Sequence, residues 1–255
     1  MRIKASCHTC LAEDLEAGRS HVPEVLFVEL NEDGILELRC ERMHTTYTVL
    51  QCLRFELLLE FGGLSLLDGY FREAVVNFSA AWERFAAFYI EVVCAVRNVD
   101  PVEFKKTWKL VAKRSERQAG AFAFLHLIQT GKAPPEPGDV KLRNDVVHDG
   151  RLPTQAEATS FGRDTFDAIV QVGNLLRALH REDADRVRAQ YLLAQIRTVK
   201  ERGHNPGAGF WQMLLSWDSD HGWSTGSFAS QLEGQRLRRE FMWAPPAAQV
   251  QPQRT

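Results

Sequence analysis

An arginine and a histidine stand five positions apart in residues 142–150, which read LRNDVVHDG. The guanidinium of Arg143 can bind a phosphate through a planar fork of N–H donors. The imidazole of His148 can move a proton near neutral pH. Asn144 lies one turn before His148, so a helix places both side chains on one face. Arg143, Asn144 and His148 are therefore candidate catalytic residues for cleavage of RNA without a metal.

The spacing alone is a weak signal, because similar Arg–His spacings occur at residues 39–44 and 197–204. The surrounding pattern favours residues 142–150, since Leu142, Val146 and Val147 would form the buried side of the helix. A structural alternative stays open. In it, the histidine stabilises the negative end of the helix and the arginine pairs with a nearby aspartate.

Three cysteines and one histidine near the N-terminus have the spacing of a zinc site. Cys7 and Cys10 form a C-x2-C pair, and Cys40 and His44 form a C-x3-H pair. Zinc takes four such ligands in a tetrahedron, and a site whose four positions are all filled by protein is structural. We therefore expect one structural zinc ion per chain, which supports folding and is not needed for catalysis.

Residues 1–48 are expected to form a small β zinc ribbon around that ion. Strand-like residues 25–30 and 35–39 flank a turn that contains Asn, Asp and Gly, so the pattern predicts a hairpin between the two ligand pairs. His8 and Cys52 are alternative ligands at the edges of the pattern. The other interpretation is that the cysteines are unrelated.

Composition limits the classes of function. The chain has 255 residues, of which 45% are hydrophobic and 25% charged, and its formal net charge is −2. This balance is typical of a soluble globular protein without a broad basic surface, so any RNA would be contacted locally. Five cysteines suit a reducing cytoplasm better than a disulfide framework. Without a long apolar run or a signal-peptide pattern, we expect a cytoplasmic protein and no membrane contact.

Residues 49–200 carry apolar side chains at the three-four spacing of helices. A first short helix is expected to close at the glycine pair 62–63, and a second to run from residue 66 to residue 97. Thr154 and Glu157 form a capping box that opens the last long helix. The expected fold class is mainly α.

The last part of the chain is rich in tryptophan. Residues 201–243 contain four of the six tryptophans. One interpretation is an appendage whose aromatic side chains anchor it to the helices, and the other is a platform on which bases stack. Residues 244–255, which are rich in Pro and Gln, are predicted to be disordered.

The helical region resembles the HEPN superfamily. The segments that carry the resemblance are 68–75 (DGYFREAV), 80–85 (AAWERF) and 142–150, with Pro153 and Thr154 downstream. The resemblance covers roughly residues 50–200 and implies a HEPN-like helical bundle. Many such domains are RNases of bacterial toxin–antitoxin and anti-phage systems, with a signature of Arg, a polar residue, a few more residues and His. The zinc-ribbon-like N-terminal region and the Trp-rich C-terminal region are not part of the general HEPN pattern.

The HEPN signature maps onto Arg143, Asn144 and His148, and implies a metal-independent endoribonuclease in bacterial defence or a toxin–antitoxin pair. Glu83, in the middle of the long helix, is a further candidate catalytic residue as the partner of Arg143, with an ordinary salt bridge as the alternative. HEPN sites form across a dimer. The implied partners are therefore RNA, a second copy of the chain, and an antitoxin or defence-system protein. The alternative is a non-catalytic HEPN module that binds RNA or recruits partners.

Overall fold

The chain is mainly α-helical, with a small β region at its N-terminus, as the sequence predicts. The computed structural model describes residues 2–20, 26–209, 213–218, 222–223 and 226–242. No helix among these residues is both long and apolar enough to cross a membrane. Contacts divide the chain into two compact units, of which the first comprises residues 1–51, 191–211 and 237–255, and the second residues 52–190 and 212–236.

The first unit contains the β region. Its elements are β1 (Arg2–Ala5), α1 (His8–Glu16), β2 (Leu26–Glu29), β3 (Ile35–Arg39), β4 (Thr45–Leu50) and β5 (Pro206–Gly209). β1 and β2 form one antiparallel pair. β3, β4 and β5 form a second sheet in that order, antiparallel between β3 and β4 and parallel between β4 and β5. Ile35, Tyr47, Val49 and Val199 form a small core in this unit.

The predicted hairpin between residues 25–30 and 35–39 is wrong. The turn between them does form, and Gly34 has the positive φ of 69° that favours glycine there. However, β2 pairs with β1, and β3 pairs with β4. The link between β3 and β4 is the tighter one, because Met43 N donates to Cys40 O at 2.9 Å. The strand-like composition predicted these two strands correctly but did not determine their partners.

The second unit is a helical bundle. Its helices are α2 (Arg54–Leu67), α3 (Phe71–Val96), α4 (Pro101–Val111), α5 (Ser115–Thr130), α6 (Val140–His148), most of α7 (Gln155–Glu201) and the first part of α8 (Phe228–Met242). α3 packs against α2, α5 and α6. Its apolar stripe, which includes Phe78, Phe85 and Phe88, is buried in the main core. α7 has non-helical backbone angles at His180.

The glycine pair 62–63 does not end a helix, and this prediction is also wrong. α2 continues through both glycines because they allow close packing. A Cβ on Gly62 would collide with the ring of Phe78, and one on Gly63 would collide with the side chain of Gln235. The chain leaves α2 at Gly69, which has a φ of +78°. The predicted capping box is confirmed, since the Glu157 carboxylate accepts from the amide of Thr154 at 2.8 Å.

The Trp-rich segment is divided between the two units. Residues 201–211 belong to the first unit, where β5 extends the sheet, and residues 212–236 belong to the second. The prediction of a separate appendage 201–243 therefore differs from the observed contacts. In the described part of the segment, Leu214, Leu215 and Trp223 belong to the main core of the second unit, whereas β5 extends the sheet of the first.

Trp223 is a core residue of the second unit. Its side chain is 1% exposed, and its ring packs against Phe55 and Phe85. The indole N–H donates to the buried Glu56 carboxylate at 3.0 Å. A ring enclosed in this way cannot stack on a base. Trp211, Trp243, the side chain of Trp217 and the tail 244–255, which is predicted to be disordered, lie outside the described residues.

Candidate functional site

Four candidate metal ligands converge in the first unit. The sulfur atoms of Cys7, Cys10 and Cys40 and a ring nitrogen of His44 lie within 4.8 Å of one another. Cys10 Sγ is 3.6 Å from Cys40 Sγ and 3.3 Å from His44 Nδ1, and Cys7 Sγ is 3.8 Å from the same nitrogen. A tetrahedral ion with sulfur ligands at about 2.3 Å would hold them about 3.8 Å apart. The cluster could therefore bind a metal ion.

Local backbone structure positions the four ligands. Cys7 has extended angles and precedes the first residue of α1, so it and Cys10 lie at one end of this helix. Cys40 follows β3, and His44 precedes β4. Met43 between them adopts a φ of +65°, which bends the chain back so that Cys40 N donates to His44 O at 3.1 Å. A helix start and a strand-to-strand turn thus supply two ligands each.

Two acidic side chains of α1 hold the turn that carries Cys40 and His44. Glu13 Oε1 is 3.2 Å from His44 Nε2. The buried Asp14 carboxylate receives two hydrogen bonds from Arg42, at 3.0 and 3.1 Å. A carboxylate on one ring nitrogen leaves the other free for a metal, which is the usual outer arrangement around a metal-binding histidine.

The thiols of the cluster differ in their pKa. Burial, together with hydrogen bonds and charge at Cys40 and Cys7, raises the pKa of the Cys10 thiol to about 12. Burial acts in the same direction on Cys40, but hydrogen bonds from the backbone of His44 and Arg42 lower the pKa of that thiol. Three crowded sulfurs can all be thiolates only when a positive charge lies among them.

Neither alternative ligand belongs to this cluster. His8 Nδ1 is buried without a hydrogen-bond partner among the described residues, and burial lowers its pKa. Cys52 belongs to the second unit, where burial raises the pKa of its thiol to about 12.

The helix α6 in the second unit carries the candidate catalytic residues. Asp139 caps its start by accepting from the amides of Lys141 and Leu142 at 2.8 and 3.1 Å. Leu142 and Val146 bury one side of the helix in the core. The chain turns away at Gly150, whose φ is +74°. The helix predicted from residues 142–150 therefore has its apolar side where the pattern indicates, and its polar side faces outward.

Arg143 is held by three side chains. Its Nη2 donates to Glu83 Oε1 at 2.9 Å, its Nε to Ser79 Oγ at 3.2 Å, and its Nη1 to Asn144 Oδ1 at 2.9 Å. The side chains of Arg143 and Glu83 are 21% and 28% exposed, so the pair is partly shielded from water. A guanidinium has five N–H groups. Two therefore have no partner among the described residues and can receive a ligand.

A pocket of about 300 Å³ lies beside Arg143. Its walls come from α3, α5, α6, α7 and the loop before α6. Trp82, Val140 and Phe161 supply apolar surface, while Glu83 and Glu116 supply carboxylates. This volume lies at the lower end of the range for small-molecule sites, which are typically apolar with a few polar groups.

His148 lies outside this pocket lining. It is the last residue of α6 and is exposed. It lies five positions after Arg143, which corresponds to about 7.5 Å along the helix axis and about 140° around it. No hydrogen bond joins the two side chains among the described residues. The second unit therefore brings together Arg143, Asn144 and Glu83, whereas His148 stands one turn beyond them.

Sequence reasoning missed several residues of both sites. Ser79 could have been found from the sequence, because it lies one helical turn before Glu83 and therefore on the same face of α3. Glu116 could not have been found in this way, since acidic residues are common in the first turn of a helix, where they stabilise its positive end. Glu13 and Asp14 lie in the second half of α1, and their contacts with the turn 40–44 form only when the chain folds.

Comparisons of the chain with protein-family models, with curated proteins and with solved structures find no match.

Proposed function

We propose that this protein is a metal-independent endoribonuclease of the HEPN type. The observation that carries the proposal is the arginine of the Arg–polar–x3–His motif. Arg143 is fixed by Glu83, Ser79 and Asn144 and keeps two N–H donors for a phosphate. A fixed guanidinium beside a pocket can stabilise charge on a phosphate without reorganising during the reaction.

The proposed reaction is an internal transesterification. The ribose 2′-oxygen attacks the adjacent phosphorus and loses its proton, and the bond from phosphorus to the 5′-oxygen breaks as that oxygen gains a proton. The products are a 2′,3′-cyclic phosphate and a 5′-hydroxyl. His148, exposed at the end of α6, serves as the group that accepts or donates the proton. Arg143 stabilises the charge on the pentacoordinate phosphate, and Asn144 and Glu83 orient Arg143.

The reaction needs two proton transfers, and one histidine cannot perform both at once. We propose that a two-fold dimer supplies the second histidine, as HEPN sites do, because a symmetric interface repeats each side chain. The other proposed partners are RNA as substrate and an antitoxin or defence-system protein, in a cytoplasmic setting.

We further propose that Cys7, Cys10, Cys40 and His44 hold one zinc ion per chain. Sulfur and imidazole ligands near tetrahedral separations are those that zinc prefers. When bound, the ion would cross-link α1 to the turn 40–44. It would supply no catalytic chemistry, since protein side chains fill all four of its coordination positions.

The test is incubation of the purified protein with single-stranded RNA in magnesium-free buffer containing EDTA, with zinc content checked in parallel. We expect cleavage that leaves a 2′,3′-cyclic phosphate. His148→Ala should lower the rate by about 10²- to 10⁴-fold. Arg143→Ala should be equally damaging and Arg143→Lys partly active, because Lys lacks the planar fork. Lys141→Ala, on the exposed side of α6, is the matched control and should keep full activity.

Cleavage that persists unchanged in both His148→Ala and Arg143→Ala would overturn the proposal. A wild-type protein that cleaves no RNA and harms no cells would favour the non-catalytic module. One observation supports that second candidate. The Arg143 charge is already neutralised by Glu83, so the same pocket could bind RNA or a partner without cleaving it.

A further inference from the structure

The pocket beside Arg143 has a composition that the cleavage chemistry does not require. Phosphate binding needs only the guanidinium, yet the cavity of about 300 Å³ extends to the aromatic rings of Trp82 and Phe161 and to the carboxylates of Glu83 and Glu116. Aromatic surface beside a phosphate-binding arginine is the usual environment of an unstacked nucleobase.

The wall of the pocket formed by the loop before α6 is held in place. The Thr165 hydroxyl donates to Pro137 O at 2.6 Å. Gly138 has a φ of +110°, and a Cβ at this position would lie 2.8 Å from the ring of Phe161. The loop backbone therefore packs directly on that ring. A cavity built in this way exists before a ligand binds, so little ordering cost opposes binding.

The two carboxylates determine which base the pocket favours. Glu83 uses one oxygen for Arg143, and its other oxygen has no partner among the described residues. Glu116 is exposed, and its carboxylate has no hydrogen bond among the described residues. A carboxylate only accepts hydrogen bonds. It therefore favours a base edge with two adjacent donors and disfavours one that places an acceptor beside its donor.

We infer that the pocket binds a guanine base of RNA, with the adjacent phosphate at Arg143. Guanine presents its ring N–H and exocyclic amine side by side, which matches the two oxygens of Glu116. Adenine and cytosine place a bare ring nitrogen beside their amine, and uracil flanks its one N–H with carbonyls. Each of these edges sets an acceptor against a carboxylate. This inference deepens the proposed function, on which it rests for the identity of the polymer.

The binding experiment uses 3′-GMP, 3′-AMP, 3′-CMP and 3′-UMP with the full-length protein in calorimetry. We expect 3′-GMP to bind at least about tenfold more tightly than the others, because hydrogen bonds to a charged group are roughly twice as strong as those between neutral groups. Glu116→Gln should remove this preference, since an amide replaces one acceptor with a donor. Trp82→Leu should weaken all four nucleotides. Glu103→Gln, an exposed glutamate of α4, is the matched control and should bind as wild type does.

A second experiment separates this inference from the proposed catalysis. Oligonucleotides that contain a single G, A, C or U in an otherwise uniform strand are tested for cleavage. Cleavage without preference for guanine, together with equal binding of the four nucleotides, overturns the guanine pocket and leaves the ribonuclease intact. Selective 3′-GMP binding without cleavage of any strand supports the pocket and overturns the ribonuclease. A Glu116→Gln protein that stays folded by circular dichroism yet keeps its guanine preference also overturns the pocket.

Discussion

The metal cluster and the Arg143 pocket are constructed in opposite ways. The four metal ligands come from two short segments, 7–10 and 40–44, and each segment places two ligands by a local turn. The pocket takes its lining from four helices and one loop, spread over residues 79–161. The first arrangement depends on a few dihedral angles and on the metal ion that we propose there, and the second depends on the packing of a whole helical core. The difference determines which perturbation should affect each region.

Removal of the metal should have the largest effect. Apparent binding free energies of structural zinc are on the order of 10 kcal/mol, so losing the ion should unfold the turn 40–44 and β3–β4. Purified protein should contain close to one zinc per chain by elemental analysis. Chelation or Cys10→Ser should abolish hydrogen-exchange protection of the amides in β3 and β4.

Cys94→Ser is the control for the metal experiment. This cysteine is partly buried in α3 and lies outside the ligand cluster, so its substitution should leave the zinc content unchanged. A Cys10→Ser protein that keeps its full zinc content would contradict the assignment of the ligands.

Trp223→Ala should be the most damaging single substitution outside the metal ligands. It removes a fully buried ring and leaves the Glu56 carboxylate without the indole donor. Such truncations typically cost about 3–5 kcal/mol of unfolding free energy. Urea denaturation measures the loss, and Phe124→Ala, at a residue 69% exposed, should change the midpoint little. Equal midpoints for both variants would show that the helical unit does not depend on this ring.

The Arg143–Glu83 pair should show a moderate coupling. A double-mutant cycle with Glu83→Ala and Arg143→Ala should give an interaction energy of about 1–2 kcal/mol, because the pair is partly shielded and hydrogen-bonded. The exposed pair Glu103–Lys106 has a shorter distance, 2.6 Å, yet should give less than about 0.5 kcal/mol because water screens it. If the two cycles give the same interaction energy, partial burial does not strengthen the Arg143–Glu83 pair.

The capping box of α7 should give the smallest effect. Thr154→Ala removes the cap and should cost about 1 kcal/mol of unfolding free energy. Hydrogen bonds from the Thr154 amide and hydroxyl, with Arg151 nearby, lower the pKa of Glu157 below 4.5. A lowered folded pKa stabilises the protein above pH 4.5, and that contribution is lost as the pH falls through the folded value. Carboxyl NMR titration should detect the lowered pKa, and Thr154→Ala should raise it.

Local patterns in the sequence determined the features that depend on neighbouring residues. The apolar spacing predicted helices and strands, because each regular structure repeats with a fixed period. The capping box at Thr154 and Glu157 and the gathering of Cys7, Cys10, Cys40 and His44 are also confirmed. The capping box and the closeness within each ligand pair follow from a spacing that a turn or a helix start converts directly into geometry, whereas the two pairs meet only in the folded first unit. The catalytic roles of Arg143, Asn144, His148 and Glu83 stay predictions.

Tertiary packing decided what a local pattern leaves undetermined. Gly62 and Gly63 had the pattern of a helix end, but the closeness of Phe78 and Gln235 gives them a packing role inside α2. β2 and β3 had the pattern of a hairpin, but each pairs with another strand, because strand-like composition and turn residues do not specify a partner. The pocket beside Arg143 carries no sequence signal, since its walls become neighbours only when helices distant in the chain share one core.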